Sequence, residues 1–208
     1  MLHQAAVEPN TLELLKEICR LPEISQFALG GGTNIALRKG HRISVDLDFF
    51  TCNPFQNLTI YKAITTHFKQ AELLFEQNQT MMFLINNIKT DFVLYPFEWT
   101  NTFEILDGTR LLSSEDIIPM KLQALSNRFA KKDFWDIETL LQDFSLDEMI
   151  KIFQAKFLQV DTGFIIHSLS NFEQADTEQD PISLTDKNWD QIKNKLQNTV
   201  KNYTQQFL

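Results

Sequence analysis

The sequence predicts an α+β fold, and two observations carry that prediction. Short runs of strand-like alternation lie before residue 112, whereas the patterns from residue 114 onward repeat at the three- and four-residue spacing of helices. We therefore expect a mixed core over residues 1–112, holding a glycine turn and three aspartates, followed by a helical region over residues 113–208.

Composition excludes several classes of protein. With 208 residues and 43% hydrophobic content, the chain can bury a core of its own. The formal net charge of -8 argues against wholesale wrapping of nucleic acid, although it leaves room for one basic groove. Cys19 and Cys52 form no C-x-x-C pattern, so neither a disulfide scaffold nor a cysteine metal site is expected. No apolar run reaches the roughly 18 residues of a membrane span and no signal-peptide core is visible, so we expect a cytoplasmic protein without membrane contact.

The first predicted elements surround a cluster of glycines. Residues 11–20 carry apolar side chains at helical spacing and predict a first helix. Residues 25–29 predict a short strand that leads into the glycine run at residues 30–33. Residues 34–39 then predict a short helix that a further glycine ends.

Three more strands are predicted before residue 96. Residues 44–50 alternate with a period of two, so their aliphatic and aromatic side chains share one face and their acidic side chains share the other. Residues 82–85 and 88–95 predict two strands, and Asn86 and Asn87 between them predict a tight hairpin turn.

The later patterns are helical. Residues 114–128 begin with acidic side chains, which suit the positive end of a helix. Ser145 and Glu148 match a capping box that opens a helix running to about residue 158. Residues 189–207 carry apolar side chains at spacings of three and four and predict an amphipathic helix.

Three aspartates on the predicted strands are candidate metal ligands. Asp46 and Asp48 share a strand face, and Asp91 lies on a neighbouring strand. Carboxylates in this arrangement repel one another unless a cation such as Mg²⁺ or Mn²⁺ neutralises them. We predict that Asp46 and Asp48 bind metal, and that Asp91 shares a metal and helps to deprotonate an attacking hydroxyl. A half-exposed strand with a polar face is the alternative.

The glycine run is a candidate phosphate site. Backbone amides at a glycine turn that opens a helix can approach phosphate oxygens closely, and the helix N-terminus favours negative charge. Gly31, Gly32 and Thr33 are therefore candidate nucleotide-binding residues, with the Thr33 hydroxyl as a further donor. The run matches neither Walker A spacing nor the Rossmann fingerprint, so an ordinary tight turn stays open.

Basic residues form a third group of candidates. On one continuous helix, Lys121, Arg128 and Lys132 would share a narrow stripe that could hold a triphosphate and the phosphates of a nucleic acid. Asp133 and Asp136 would then pair with Lys132. A solvated basic face is the alternative.

A shorter basic patch precedes the acidic strand. It would lie near the triphosphate or in a surface loop, and it consists of Arg38, Lys39, His41 and Arg42.

In combination these motifs resemble the nucleotidyltransferase-like AbiEii/AbiGii toxins of bacterial toxin–antitoxin and phage-defence systems. The matching segments are FALGGGTNIALRKGHRISVDLDFF at residues 27–50, KTDFVLY at residues 89–95 and EDIIPMKLQALSNRFAKKDFWDI at residues 115–137. The resemblance implies a polymerase-beta-like nucleotidyltransferase core, a small mixed sheet flanked by helices, followed by a helical C-terminal part.

The resemblance also assigns site residues. It implies a metal-binding and catalytic set of Asp46, Asp48 and Asp91, with Lys121 as a further catalytic residue. It implies a nucleotide-binding set of Gly31, Gly32, Thr33, Lys89, Lys121, Arg128 and Lys132, and it places Asp133 and Asp136 in the third motif.

The implied activity is Mg²⁺-dependent transfer of a nucleoside monophosphate from a nucleoside triphosphate, with release of pyrophosphate. The expected acceptor is RNA, in particular transfer RNA, and a cognate antitoxin is the expected protein partner. Two alternatives stay open: transfer to a protein or small molecule, and a catalytically inactive nucleotide- or partner-binding module of the same fold.

Overall fold

The computed structural model describes residues 1–207, which divide into two compact units. The sheet unit comprises Met1–Gly40 and Ser44–Ser113. The helical unit comprises His41–Ile43 together with residues 114–207. The short segment His41–Ile43 thus belongs to the helical unit although sheet-unit residues flank it in the sequence.

The sheet unit contains a mixed sheet and three α-helices within the described residues. The helices are α1 (Pro9–Arg20), α2 (Gly31–Lys39) and α3 (Asn57–His67). The strands are β1 (Ala28–Leu29), β2 (Leu47–Thr51), β3 (Ala71–Gln77), β4 (Thr80–Ile85), β5 (Ile88–Leu94), β6 (Glu104–Leu106) and β7 (Thr109–Leu111). Their order in the sheet is β3-β4-β5-β2-β1-β7-β6. Strand β2 is parallel to β5 and β1 is parallel to β7, while the other pairs are antiparallel. The predicted mixed sheet flanked by helices is confirmed.

Aromatic packing covers one face of this sheet. Phe49 of β2 stacks on Phe92 of β5 with ring centroids 5.3 Å apart, and Phe27 meets the same Phe92 ring edge-on at 5.5 Å. All three rings are fully buried. Because side chains alternate along a strand, this core leaves the residues between them, including Asp48 and Asp91, on the opposite face.

Strand β2 starts later than the sequence predicts. It begins at Leu47, so Asp46 precedes the strand, and Val45 is 56% exposed instead of sharing the buried face. The physical reason is that other partners take the backbone groups here: the Ser44 amide donates to the Ala6 carbonyl at 2.8 Å, and the Thr33 hydroxyl donates to the Asp46 carbonyl. Likewise β1 covers two residues instead of residues 25–29.

Tight turns connect β3 to β4, β4 to β5 and β6 to β7. The predicted turn between β4 and β5 is confirmed, since Asn86 and Asn87 adopt φ values of 51° and 64°. Two similar turns were not predicted from the sequence. Residues 78–79 join β3 to β4 and residues 107–108 join β6 to β7, all with positive φ.

The helical unit consists of short helices around an aromatic centre. They are α4 (Ser114–Arg128), α5 (Lys131–Leu140), α6 (Leu146–Lys156), α7 (Thr162–Ser168), α8 (Glu173–Asp176) and α9 (Trp189–Thr204). The predicted capping box is confirmed at the start of α6. Trp189 of α9 lies 5.8 Å from Phe134, 6.0 Å from Trp135 and 5.7 Å from Phe172 between ring centroids. Among the helices of residues 1–207, none is long and apolar enough to cross a bilayer.

Candidate functional site

Strand pairing brings two of the predicted metal ligands together. Asp48 of β2 and Asp91 of β5 are direct partners in the parallel pair, so both carboxylates rise from the same face of the sheet. Asp46 precedes β2, and its charge acts on both Asp91 and Lys89. Strand pairing therefore brings Asp48 and Asp91 together, and the charge of Asp46 reaches the same carboxylate, Asp91.

The Asp91 carboxylate is an incompletely satisfied group. Its Oδ2 accepts a hydrogen bond from the Lys89 ammonium at 2.9 Å, whereas its buried Oδ1 has no partner among residues 1–207. Burial raises the pKa of Asp91; Lys89 opposes this rise, and Asp46 adds to it. Burial also lowers the pKa of Lys89, but the hydrogen bond to Asp91 and the charges of Asp91, Asp48 and Asp46 raise it above its ordinary value.

These residues fit a magnesium ion that a substrate helps to hold. Within residues 1–207, no three His, Cys, Asp or Glu side chains already form a metal-binding group. Mg²⁺ usually takes one or two protein carboxylates and completes its octahedron with water and phosphate oxygens. Asp48 and Asp91 supply such a pair, and the unpartnered Oδ1 of Asp91 is an acceptor that a cation would satisfy.

The glycine run forms the first turn of α2. Gly31 is the first helical residue and has φ +62°. The amides of Gly31, Gly32 and Thr33 lie in the first turn, where a helix offers no carbonyl partners, and the capping residue Gly30 has no side chain to accept from them. A Cβ on Gly31 would collide with Oδ2 of Asp48, so these amides open beside the carboxylates. A helix N-terminus of this kind, with carboxylates beside it, is an arrangement that could bind a phosphate next to a cation.

The Thr33 hydroxyl, predicted to donate to the nucleotide, makes its hydrogen bonds within the protein. Its side chain is 1% exposed, and its hydroxyl donates to the Asp46 carbonyl and lies 2.8 Å from the Ser44 hydroxyl. The hydroxyl therefore anchors the segment before β2, while the Thr33 amide keeps its place in the first turn of α2.

Asn34 and Arg38 anchor helix α2, a role that was not predicted from the sequence. The Asn34 amide donates to the carbonyls of Leu29 and Leu112 at 2.7 and 3.0 Å. Arg38 donates to Asn34 Oδ1 at 2.8 Å and to the Leu112 carbonyl at 2.9 Å. The spacing of four residues between Asn34 and Arg38 is the signal that could have indicated this pair.

The third motif forms a buried ionic cluster inside the helical unit. The Lys121 ammonium lies 2.6 Å from Asp136 Oδ2 and 3.1 Å from Asp133 Oδ1. Arg128 binds Asp133 through two nitrogens, at 2.6 and 2.8 Å. Lys121 is 5% exposed, and both aspartates are fully buried.

The remaining partners of Asp136 come from the segment His41–Ile43. Arg42 binds both oxygens of Asp136, at 2.8 and 2.9 Å, and His41 Nε2 lies 2.8 Å from Oδ1. The segment is held by backbone bonds from Ile43 to Ile182 and from Leu184 to His41. His41 and Arg42 are only 3% and 4% exposed, so the alternative that both lie in a surface loop is wrong.

The predicted continuous basic helix is also wrong. Helix α4 ends at Arg128, Phe129 adopts φ 47°, and α5 begins at Lys131, so Lys132 lies on a different helix from Lys121 and Arg128. Asp133 and Asp136 bind Lys121, whereas the sequence predicted pairing with Lys132. Burial works to raise the pKa of Asp136, but the charges of Lys121 and Arg42 and the bonds from His41 and Arg42 hold it well below its ordinary value.

Comparisons with known proteins agree with this architecture. An uncharacterized protein, aq_aa25 of Aquifex aeolicus, is 30% identical over 197 residues, which cover 92% of this chain and 94% of that protein. The crystal structure of JHP933 from Helicobacter pylori matches with a TM-score of 0.56 at 16% identity, over 99% of this chain and 96% of that one. The nucleotidyltransferase toxin MenT4 of Mycobacterium tuberculosis matches with a TM-score of 0.50 at 12% identity, over 93% and 86% of the two chains.

The two structural matches are too distant in sequence to show more than the nucleotidyltransferase fold. A family profile matches residues 13–207 and so spans the glycine turn, the aspartate strands and the ionic cluster. The chain therefore belongs to the nucleotidyl transferase AbiEii toxin family, whose members are toxins of type IV toxin–antitoxin systems.

Proposed function

We propose that this protein is a Mg²⁺- or Mn²⁺-dependent nucleotidyltransferase toxin that transfers a nucleoside monophosphate from a nucleoside triphosphate to RNA, with transfer RNA as the expected acceptor. It would act in the cytoplasm under the control of a cognate antitoxin. The observation that carries the proposal is the pairing of Asp48 with Asp91 beside the open first turn of α2, because carboxylates can hold a cation and free helix amides can bind phosphate.

The roles of the residues follow from this geometry. The amides of Gly31, Gly32 and Thr33 bind the triphosphate, and the half-exposed Lys89 neutralises part of its charge. Asp46, Asp48 and Asp91 would hold the metal, which withdraws charge from the phosphate oxygens when bound.

Proton transfer falls to Asp91 in this proposal. Its Oδ1 is buried and accepts no hydrogen bond from residues 1–207, so this oxygen can accept a proton. It takes the proton of the acceptor hydroxyl as that oxygen forms a bond to the α-phosphorus. The bond from the α-phosphorus to the bridging oxygen breaks, and pyrophosphate leaves.

The basic residues of the helical unit would contribute phosphate binding. Arg128 keeps half of its side chain exposed and Lys132 is exposed, so we assign them contacts with acceptor phosphates. In this proposal Lys121 stays among the catalytic and nucleotide-binding residues. Its ammonium is held by two buried carboxylates, so it acts indirectly: it positions Asp133, and Asp133 binds Arg128.

The test is transfer of label from each α-labelled nucleoside triphosphate to total transfer RNA, with Mg²⁺ or Mn²⁺. Asp48→Asn removes one carboxylate charge from the site, and Asp186→Asn is the matched control because Asp186 is exposed in the helical unit. We expect label in RNA with the wild type and the control, and none with Asp48→Asn.

Other outcomes would select the alternatives. Label in the protein or small-molecule fraction would replace RNA as the acceptor. Nucleotide binding without transfer to any fraction would identify an inactive binding module and contradict the proposed enzyme.

A further inference from the structure

A group of aromatic side chains lies beside the aspartates in the sheet unit, and the mechanism above does not use it. Ring centroids lie 5.5 Å apart between Tyr95 and Trp99, which are stacked at 6°, and 5.1 Å apart between Tyr95 and Phe97. Phe103 meets Trp99 at 6.5 Å, and Phe50 meets Tyr95 at 6.4 Å. We call these five residues the aromatic cluster.

The aromatic cluster continues the face that carries the aspartates. Phe50 follows Asp48 by two residues on β2, so both side chains rise from the same face of the sheet. The Phe50 ring lies against Gly30, where an added Cβ would come within 2.7 Å of Phe50 Cδ2. In the same way, a Cβ added to Gly31 would collide with Oδ2 of Asp48. The cluster therefore starts one residue from the phosphate-binding turn.

Tyr95 is fixed at the end of the second aspartate strand. Its amide donates to the Thr51 carbonyl at 2.8 Å, immediately beyond the last residue of β5. The segment at residues 95–103 then carries four of the five rings before β6 begins. Both aspartate strands thus run directly into the aromatic cluster.

Packing alone does not explain this cluster. The core of the sheet unit lies on the opposite face, where Phe27, Phe49 and Phe92 are fully buried. In contrast, Phe50, Phe97, Trp99 and Phe103 all stay partly exposed. Residues 95–103 include no Lys or Arg, so this surface suits a flat uncharged ring and not a phosphate.

We propose that the aromatic cluster is a nucleobase-binding site in which Trp99 stacks on the base. The inference rests on the proposed function, because the phosphates bound at the glycine turn bring the base into reach. Two sources of the base are chemically equivalent: the nucleoside triphosphate and the terminal nucleotide of the RNA acceptor. Stacking on aromatic side chains tolerates any base, because every base has a π-face.

Tryptophan fluorescence gives a readout that does not depend on catalysis. The chain has three tryptophans, and the two besides Trp99 are buried in the helical unit. The full-length protein is titrated with each nucleoside triphosphate, with a single-stranded oligoribonucleotide and with inorganic tripolyphosphate, which has no base. We expect quenching by a base-containing ligand, no quenching by tripolyphosphate, and loss of the quenching in Trp99→Phe.

Steady-state kinetics then identify the source of the base. Trp99→Leu keeps apolar bulk but removes the aromatic face, whereas Trp99→Phe keeps a ring. We expect Trp99→Leu to raise one KM about tenfold and Trp99→Phe to raise it less. A raised KM for the triphosphate assigns its base to the cluster, and a raised KM for RNA assigns the acceptor base.

The results that would refute the nucleobase site differ from those that would refute the transferase. Absence of quenching by every base-containing ligand overturns the nucleobase site, even if the wild type transfers label. Unchanged KM values in folded Trp99→Leu, checked by circular dichroism, also overturn it. Quenching that is lost in Trp99→Phe, in a protein that transfers no label, would support the base site and refute the transferase.

Discussion

Lys121 shows how burial changes the role of a basic side chain. Its ammonium is enclosed with Asp133 and Asp136. Removal of one member of a buried ionic group leaves the others without compensation, which destabilises more than the group as a whole stabilises. Lys132, eleven residues later, is exposed on α5.

We therefore expect Lys121→Ala to lower the free energy of unfolding by about 3–5 kcal/mol. The matched control is Lys62→Ala, at an exposed lysine of α3, which should change it by less than about 0.5 kcal/mol. Urea denaturation followed by circular dichroism measures both. Equal stability of the two variants would contradict the ionic cluster.

The ionised Asp136 should make the free energy of unfolding decrease as the pH becomes acidic. Its folded-state pKa lies well below the ordinary value of 3.8, so the unfolded chain binds the proton first as the pH falls. The stabilisation is complete above about pH 5 and decreases progressively as the pH falls toward the folded pKa. Unfolding free energies measured from pH 5 to pH 3 should fall more steeply for the wild type than for Asp136→Asn. The same slope in both proteins would remove Asp136 as the cause.

A comparison of Gly31 with Gly108 separates the effect of backbone strain from the effect of a side chain placed against Asp48. Both have positive φ, but a Cβ on Gly31 meets Asp48 whereas a Cβ on Gly108 meets nothing within 4 Å. We expect Gly108→Ala to lower stability by about 1–2 kcal/mol and to keep nucleotidyl transfer. Gly31→Ala should in addition abolish transfer, as measured by label incorporation in the folded fraction. Activity of Gly31→Ala equal to that of Gly108→Ala would argue against a phosphate site at this turn.

Among the helices and strands, α2 has the most direct link to the site because it presents its N-terminal amides to the proposed triphosphate. Asn34 holds this helix by donating to two buried carbonyls, those of Leu29 and Leu112. Loss of the Asn34 side chain leaves these carbonyls without one of their donors and Arg38 without one of its acceptors.

We expect Asn34→Ala to reduce stability by roughly 1–3 kcal/mol and to weaken nucleotide binding. The control is Asn57→Ala, since the Asn57 amide donates to Glu76 in an exposed contact. Thermal melts with and without a nucleoside triphosphate measure both effects. A ligand-induced shift in melting temperature that is unchanged in Asn34→Ala would show that the anchor does not position the amides.

The accuracy of the strand predictions follows from local chemistry. The turn at Asn86 and Asn87 was predictable because asparagine tolerates positive φ and regular alternation flanks the pair. Strand β3 was overlooked because it lies at the edge of the sheet, where most of its side chains are exposed and show no hydrophobic period. The Asp107-Gly108 pair is a strong hairpin signal that could have indicated β6 and β7.

For the chain as a whole, the net charge of -8 requires that RNA binding depend on a few local cations. Arg128 and Lys132 are the residues that we assign to acceptor phosphates. Each phosphate contact releases counterions, so it adds a definite increment to the dependence of affinity on salt.

We expect the KM for RNA to rise with salt, and Lys132→Ala to reduce the slope of log KM against log salt by about one. Lys62→Ala is the control, because Lys62 is exposed on α3 and has no assigned contact with RNA. The same slope in both variants would remove Lys132 from the acceptor site. A KM that does not respond to salt would contradict phosphate contacts by the protein.

The sequence by itself determined the features that depend on near neighbours in the chain. Alternation with a period of two placed Asp48 on a face opposite the core, and asparagine and serine chemistry located a hairpin turn and a capping box. The order of the three motifs indicated the family, because such motifs keep their order in the chain whatever their distance in space.

The tertiary structure alone decided which groups satisfy one another. Asp136 accepts hydrogen bonds from Arg42 and contacts His41, which lie 94 and 95 residues away in the sequence. The Thr33 hydroxyl donates a hydrogen bond to the Asp46 carbonyl. The aromatic cluster likewise combines Phe50 with residues 95–103. Pairings of this kind depend on burial and on long-range chain closure, and no local period in a sequence encodes either of them.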